Sequence, residues 1–125
     1  MALSRDRVLA DGTSPHPWEQ KAIEFIKSVL PNEHPYLLWG LVELVERSGR
    51  RHEIDALVLG LNALYLVEIK SHPARFAGNA VNWTYTFEGQ PSRTMENPIV
   101  GAARKARALA GMLDREMVGR RPRVE

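Results

Sequence analysis

Glu53-Ile54-Asp55-Ala56-Leu57-Val58-Leu59, a short turn, and Leu64-Tyr65-Leu66-Val67-Glu68-Ile69-Lys70 place ionisable groups on two consecutive apolar runs. Both runs have the length and β-favouring composition of strands. A buried strand should read Val, Ile and Leu throughout, because a charge taken out of water costs several kcal/mol, roughly, unless it is paired or bound to a metal. Asp55, Glu68 and Lys70 therefore read first as an active site. Side chains alternate along a strand, so Glu68 and Lys70 share a face. If the turn at Gly60 to Ala63 makes the two strands antiparallel neighbours, Asp55 comes level with them to within about one residue rise.

Working outward, Tyr36 to Val45 reads as a strand closing in the turn Arg47-Ser48-Gly49-Arg50, and His52 to Leu59 as the next. Asn62 is the residue in the second turn best able to accept a left-handed conformation. The third strand is expected from Leu64 to about Ser71. Asn82 to Phe87 alternates like a fourth. Before them, Pro17-Trp18-Glu19 opens a helix with an apolar face of Ile23, Ile26 and Leu30, supported by Ala22, Phe25 and Val29, ending at Pro31-Asn32. After them, Asn97-Pro98 is an N-cap followed by proline at the first helical position. Ile99, Ala102, Ala106, Leu109 and Leu113 then mark one long amphipathic face. The pattern predicts an α/β fold, a sheet packed by helices. Its divisions are a polar lead-in at 1–15, one domain at 16–118 and a basic linker at 119–125.

The 125 residues suit a single core. The absence of cysteine removes disulfide frameworks and thiolate metal sites, and is consistent with a reducing, cytoplasmic setting. The N-terminus lacks an apolar signal-like segment, and no apolar run approaches bilayer length, so no membrane partner is expected. Net charge is only +2, but 7 of the 17 Lys and Arg residues fall within 101–125, against 3 of the 15 acids. Such a basic strip suits a polyanion, and it equally suits a solvated helix face leading into a linker. Arg104, Lys105, Arg107 and His72 are the candidate nucleic-acid contacts. His52 and His72 flank the site and read either as substrate contacts or, in preference, as half-exposed strand-end histidines with no role.

Two carboxylates sharing one pocket suit Mg²⁺, which takes oxygen ligands and keeps several waters. A metal so held lowers the pKa of water and polarises a phosphoryl oxygen, while Lys70 is placed to orient or deprotonate the attacking water. The chemistry implied is phosphodiester hydrolysis. Glu19 is either a third acid of the site or a carboxylate favoured by the helix N-terminus. Glu53, on the same side as Asp55, reads as a substitute ligand or as a solvated strand start. Trp83 and Tyr85 fit core packing better than base stacking.

These residues, with Gly78, Trp83 and Asn97-Pro98, resemble the nuclease-related domain (NERD), a branch of the PD-(D/E)xK restriction-endonuclease-like superfamily. The resemblance runs from about Trp18 to Leu113. It implies a restriction-endonuclease-like αβββαβ core with a mixed central sheet flanked by helices. It also implies Mg²⁺ or Mn²⁺ held by Asp55, Glu68 and the backbone carbonyl of Ile69, Lys70 as base or water-orienting group, and Glu19 as the first-helix acid. Two departures stand out: Ala63 where the family often has glycine, and Gly101 where it usually has a glutamine of the active-site surroundings.

The family resemblance further implies a module of a larger bacterial protein, fused to a helicase or to a Ser/Thr kinase of the phage-defence type. The chain itself has no kinase signature loops. The function expected is a metal-dependent nuclease acting on DNA, with a homodimer needed to cut both strands in one event. The alternative is a nuclease-fold module with weak or no turnover that binds nucleic acid or partner proteins and regulates an attached kinase. A purely structural assembly domain is the third reading.

Overall fold

The computed structural model describes residues 2–70 and 75–125. A 3₁₀ turn (Arg5–Arg7) leads into β1 (Val8–Asp11), α1 (Pro17–Val29), β2 (Leu37–Val45), β3 (Arg51–Leu59), β4 (Leu64–Val67), β5 (Arg75–Gly78), β6 (Asn82–Thr86), β7 (Arg93–Glu96) and α2 (Pro98–Glu116). The main sheet has the order β1-β2-β3-β4, with β1 parallel to β2 and the other pairs antiparallel. A second, antiparallel sheet has the order β5-β6-β7. The architecture is therefore mixed α/β, a mixed four-stranded sheet flanked by two helices, with a small extra sheet.

The sheet is buried on both faces, which is why β3 reads as an almost unbroken apolar run. On one side Ile23 of α1 packs with Leu38, Ala56 and Val58, joined by Ile26, Leu30, Val67 and Ile69. On the other, Leu109 of α2 packs with Ile54, Leu57 and Leu64, joined by Leu66 and Leu113. Each helix buries a narrower stripe than the sequence suggests. Phe25 and Val29 are exposed at 65% and 57%, because at 3.6 residues per turn they rotate away from the Ile23-Ile26-Leu30 line. Ile99, in the first turn of α2, is likewise 66% exposed.

Both ends of the chain join the fold. The segment read as a polar lead-in supplies β1 and the core residue Leu3, whose N–H bonds Lys27 O of α1 at 2.9 Å. The segment read as a linker runs parallel to β4: Leu64 N–H donates to Arg123 O at 2.8 Å, and Glu125 N–H to Leu64 O at 2.9 Å. Unpaired edge groups of β4 are satisfied by it.

Three turn expectations change. Asn62 does not have a positive φ; among the described residues Leu41 is the non-glycine residue that does, at 53°. Gly12 is required beside it, since a Cβ there would meet Leu41 Cβ at 2.9 Å. Strand β4 stops at Val67 rather than near Ser71, which lies outside the described residues. The expected fourth strand is the middle of three, and Gly78 allows its hairpin: a Cβ there would lie 2.3 Å from Asn82 O. Among the described residues, no helix is long and apolar enough to cross a membrane.

Candidate active site

Strands β3 and β4 pair Leu59 with Leu64 and, at the far end, Ala56 with Val67. One further step of that register would set Asp55 opposite Glu68. Instead the ladder ends there, and the Ile69 backbone N–H turns to the Asp55 side chain, donating to Oδ2 at 2.8 Å. The acid of β3 is thereby fastened to the backbone between Glu68 and Lys70. On the other side of β3, Leu41 lies opposite Asp55, between the pairs Gly40–Ala56 and Val42–Ile54, with its left-handed backbone. Backbone in this sparsely populated region costs about 1 kcal/mol or more and persists only where its surroundings over-determine it.

Two cavities take their walls from these residues and their neighbours. The first, about 420 Å³, is lined by Ser14, His16, Glu19, Glu43, Glu53 and Asp55 among others. The second, about 380 Å³, is lined by Glu68, Lys70, Tyr85, Glu96, Gly101 and Lys105 among others. Glu19 enters the first cavity from the opening turn of α1, where the Ser14 hydroxyl donates to it at 2.5 Å. Lys70 is exposed at the second. Asp55 lines the first cavity and is bonded to Ile69, which sits between Glu68 and Lys70 of the second.

Electrostatics link the same residues. Burial raises the Asp55 pKa above the ordinary carboxylate value; the Ile69 N–H pulls it down, the negative charges of Glu68 and Glu19 push it further up, and Lys105 lowers it. A half-buried carboxylate whose neighbours are mostly acidic lacks positive charge, which is the condition a hard divalent cation relieves. Asp55 and Glu68 offer carboxylate oxygens, the ligand chemistry that Mg²⁺ or Mn²⁺ takes, so the residue types fit such an ion. Among the described residues there is no cluster of three or more acidic or histidine side chains able to hold a metal; Glu19 lines the first cavity and acts on Asp55 through its charge.

The basic residues of α2 divide between solvent and the site. Arg104 pairs with Glu96 at 3.1 Å. Lys105 reaches inward, its Nζ donating to Glu68 Oε1 at 2.7 Å and to Glu53 O at 2.5 Å. Arg107 is exposed, and His72 lies outside the described residues. His52 is buried rather than half-exposed, its Nε2 3.0 Å from Glu46 Oε2. Asn97 does cap α2, accepting from Ile99 N–H at 2.9 Å, but it also receives no solvent: its Nδ2 donates to Asn79 O and its N–H to Val81 O. That one side chain joins the start of α2 to the turn between β5 and β6, so the second sheet carries Tyr85 and Glu96 to the cavity wall. Sequence reasoning placed Lys105 among the nucleic-acid contacts and missed its pairing with Glu68, although its position four residues after Gly101, hence on the same helix face, is legible.

A family model described as "Nuclease-related domain" matches residues 14–124. A curated relative, "Probable kinase PglW" of Streptomyces coelicolor, is 32% identical over 95 residues, covering 76% of this chain. The chain spans only 6% of that protein's length. No solved structure matches the chain. With residues 14–124 covered by the family model, this chain belongs to the nuclease-related domain family.

Proposed function

We propose that the chain is a metal-dependent nuclease domain that hydrolyses DNA phosphodiester bonds, carried by a larger cytoplasmic protein with an attached kinase and acting in anti-phage defence. The observation that supports it best is the Asp55–Ile69 hydrogen bond, which sets one acid against the backbone between Glu68 and Lys70. A divalent ion held by Asp55, Glu68 and the Ile69 carbonyl would supply Lewis-acid stabilisation of a phosphoryl oxygen and an acidified water. The protein's own work is then positional. Asp55 and Glu68 would offer their oxygens to the ion, Lys70 presents an ammonium at the open cavity to orient water or neutralise a phosphate, and Glu19 adds negative charge from α1.

A second reading, a module that binds nucleic acid and regulates a kinase without cutting, is favoured by Gly101 and by the pairing of Lys105 with Glu68. Plasmid nicking with Mg²⁺, Mn²⁺ or EDTA separates the two. Nuclease function predicts ion-dependent cleavage that Asp55→Ala and Glu68→Ala abolish and Lys70→Ala lowers by about a hundredfold or more. Equal cleavage by wild type and all three variants would sink the proposal. Salt-sensitive DNA binding with no cutting would move the chain to the second reading.

A further inference from the structure

Lys105 is the charged group that fits neither a DNA-facing helix strip nor the metal-ligand set. Its side chain is 24% exposed and that of Glu68 15%, so their 2.7 Å contact is shielded from water and salt more than a surface pair would be. The second bond, to Glu53 O, takes the same ammonium across to the start of β3, two residues from Asp55. Lys105 lines the same cavity as Gly101, one helical turn earlier, where, among the described residues, an added Cβ would meet Glu96 Oε1 at 3.5 Å. A positive charge therefore already sits on one of the two carboxylates that the proposed ion would use.

From this we infer that Lys105 is a tethered competitor for the metal, which holds Glu68 until a phosphate draws the ammonium away. The inference rests on the nuclease reading of the site. An ammonium and a divalent ion on the same carboxylate repel strongly at protein dielectric, so the ion either loads weakly or displaces Lys105. The long, flexible lysine stem lets the ammonium swing to an incoming phosphate instead of being lost to water. Metal and nucleic acid then bind with positive cooperativity, because each favours the arrangement in which Lys105 has left Glu68. Such coupling would keep the site unloaded until substrate arrives. A merely structural Lys105 has the opposite sign, since its removal would loosen Glu68 and weaken metal binding.

The test is Mn²⁺ affinity of the full chain, read by electron paramagnetic resonance, with and without a phosphorothioate oligonucleotide that resists cleavage. Lys105→Met should bind Mn²⁺ about tenfold more tightly than wild type in the absence of oligonucleotide, the equivalent of one charged hydrogen bond, and should lose the tightening that the oligonucleotide gives wild type. Lys105→Arg should keep the weak affinity. Lys105→Gln replaces the methionine variant if thermal melting shows the latter unfolded. Equal or weaker Mn²⁺ binding by Lys105→Met, with binding still abolished in Asp55→Ala and Glu68→Ala, would overturn the inference and leave the nuclease reading standing. Mn²⁺ binding that ignores Asp55 and Glu68 would overturn both.

Discussion

Asp55 on β3 accepts the Ile69 N–H at 2.8 Å at the point where β4 leaves the ladder. A side chain takes over a bond that a strand would otherwise give to backbone. The site is thereby built from the end of a strand pair, and its acid is oriented before any ion arrives.

That acid should weaken the fold in the absence of metal. Burial, with the charges of Glu68 and Glu19 adding to it against the Ile69 N–H, raises its pKa, so the folded state holds this proton more tightly than the unfolded chain does. Its contribution to stability is complete below the unfolded carboxylate value and is lost as pH rises through the folded one. Asp55→Asn keeps an acceptor for Ile69 and removes the charge. It should raise the melting temperature at neutral pH by roughly 2 °C and flatten the fall in stability from the ordinary carboxylate range up to neutral pH, while ending cleavage. Thermal melts across that range in EDTA check it; a lower melting temperature at neutral pH would contradict it.

Gly101 lies inside α2 with room for a side chain. Gly101→Gln should stabilise the domain by about 0.5 to 1 kcal/mol through helix propensity, and should raise the cleavage rate by returning an amide to the cavity that holds Glu68 and Lys70. Urea denaturation and plasmid nicking read the two effects separately.

The tail is part of the sheet. Removing 123–125 deletes the acceptor for Leu64 N–H and for Leu66 N–H, and the Val124 contact with the α2-side core. Hydrogen exchange at the Leu64 and Leu66 amides should accelerate, with a loss of about 1 to 3 kcal/mol in stability. Unchanged exchange at both amides would show the pairing to be dispensable.

Core substitutions should separate the two faces of each helix. Ile23→Ala and Leu109→Ala should each cost about 2 to 4 kcal/mol, since both side chains are buried against the sheet. Phe25→Ala, at an exposed position of α1, should change stability by less than about 0.5 kcal/mol. Denaturant midpoints decide it.

The amino-acid sequence alone determined the two helices, the β2-β3-β4 meander, the Asn97 cap and the register that sets Asp55 at the end of the β3-β4 ladder, because each rests on local periodicity, a capping side chain or a short hairpin whose register follows from its turn. Only the tertiary structure decided the rest. The parallel pairing of β1 with β2 and of Val124 with Leu64 joins segments far apart in the chain, and parallel neighbours leave no turn to announce them. The inward course of Lys105 was hidden for a related reason. A lysine on an amphipathic helix looks the same in sequence whether its long stem ends in solvent or on a carboxylate, and the choice falls to the charges that the sheet brings beneath it.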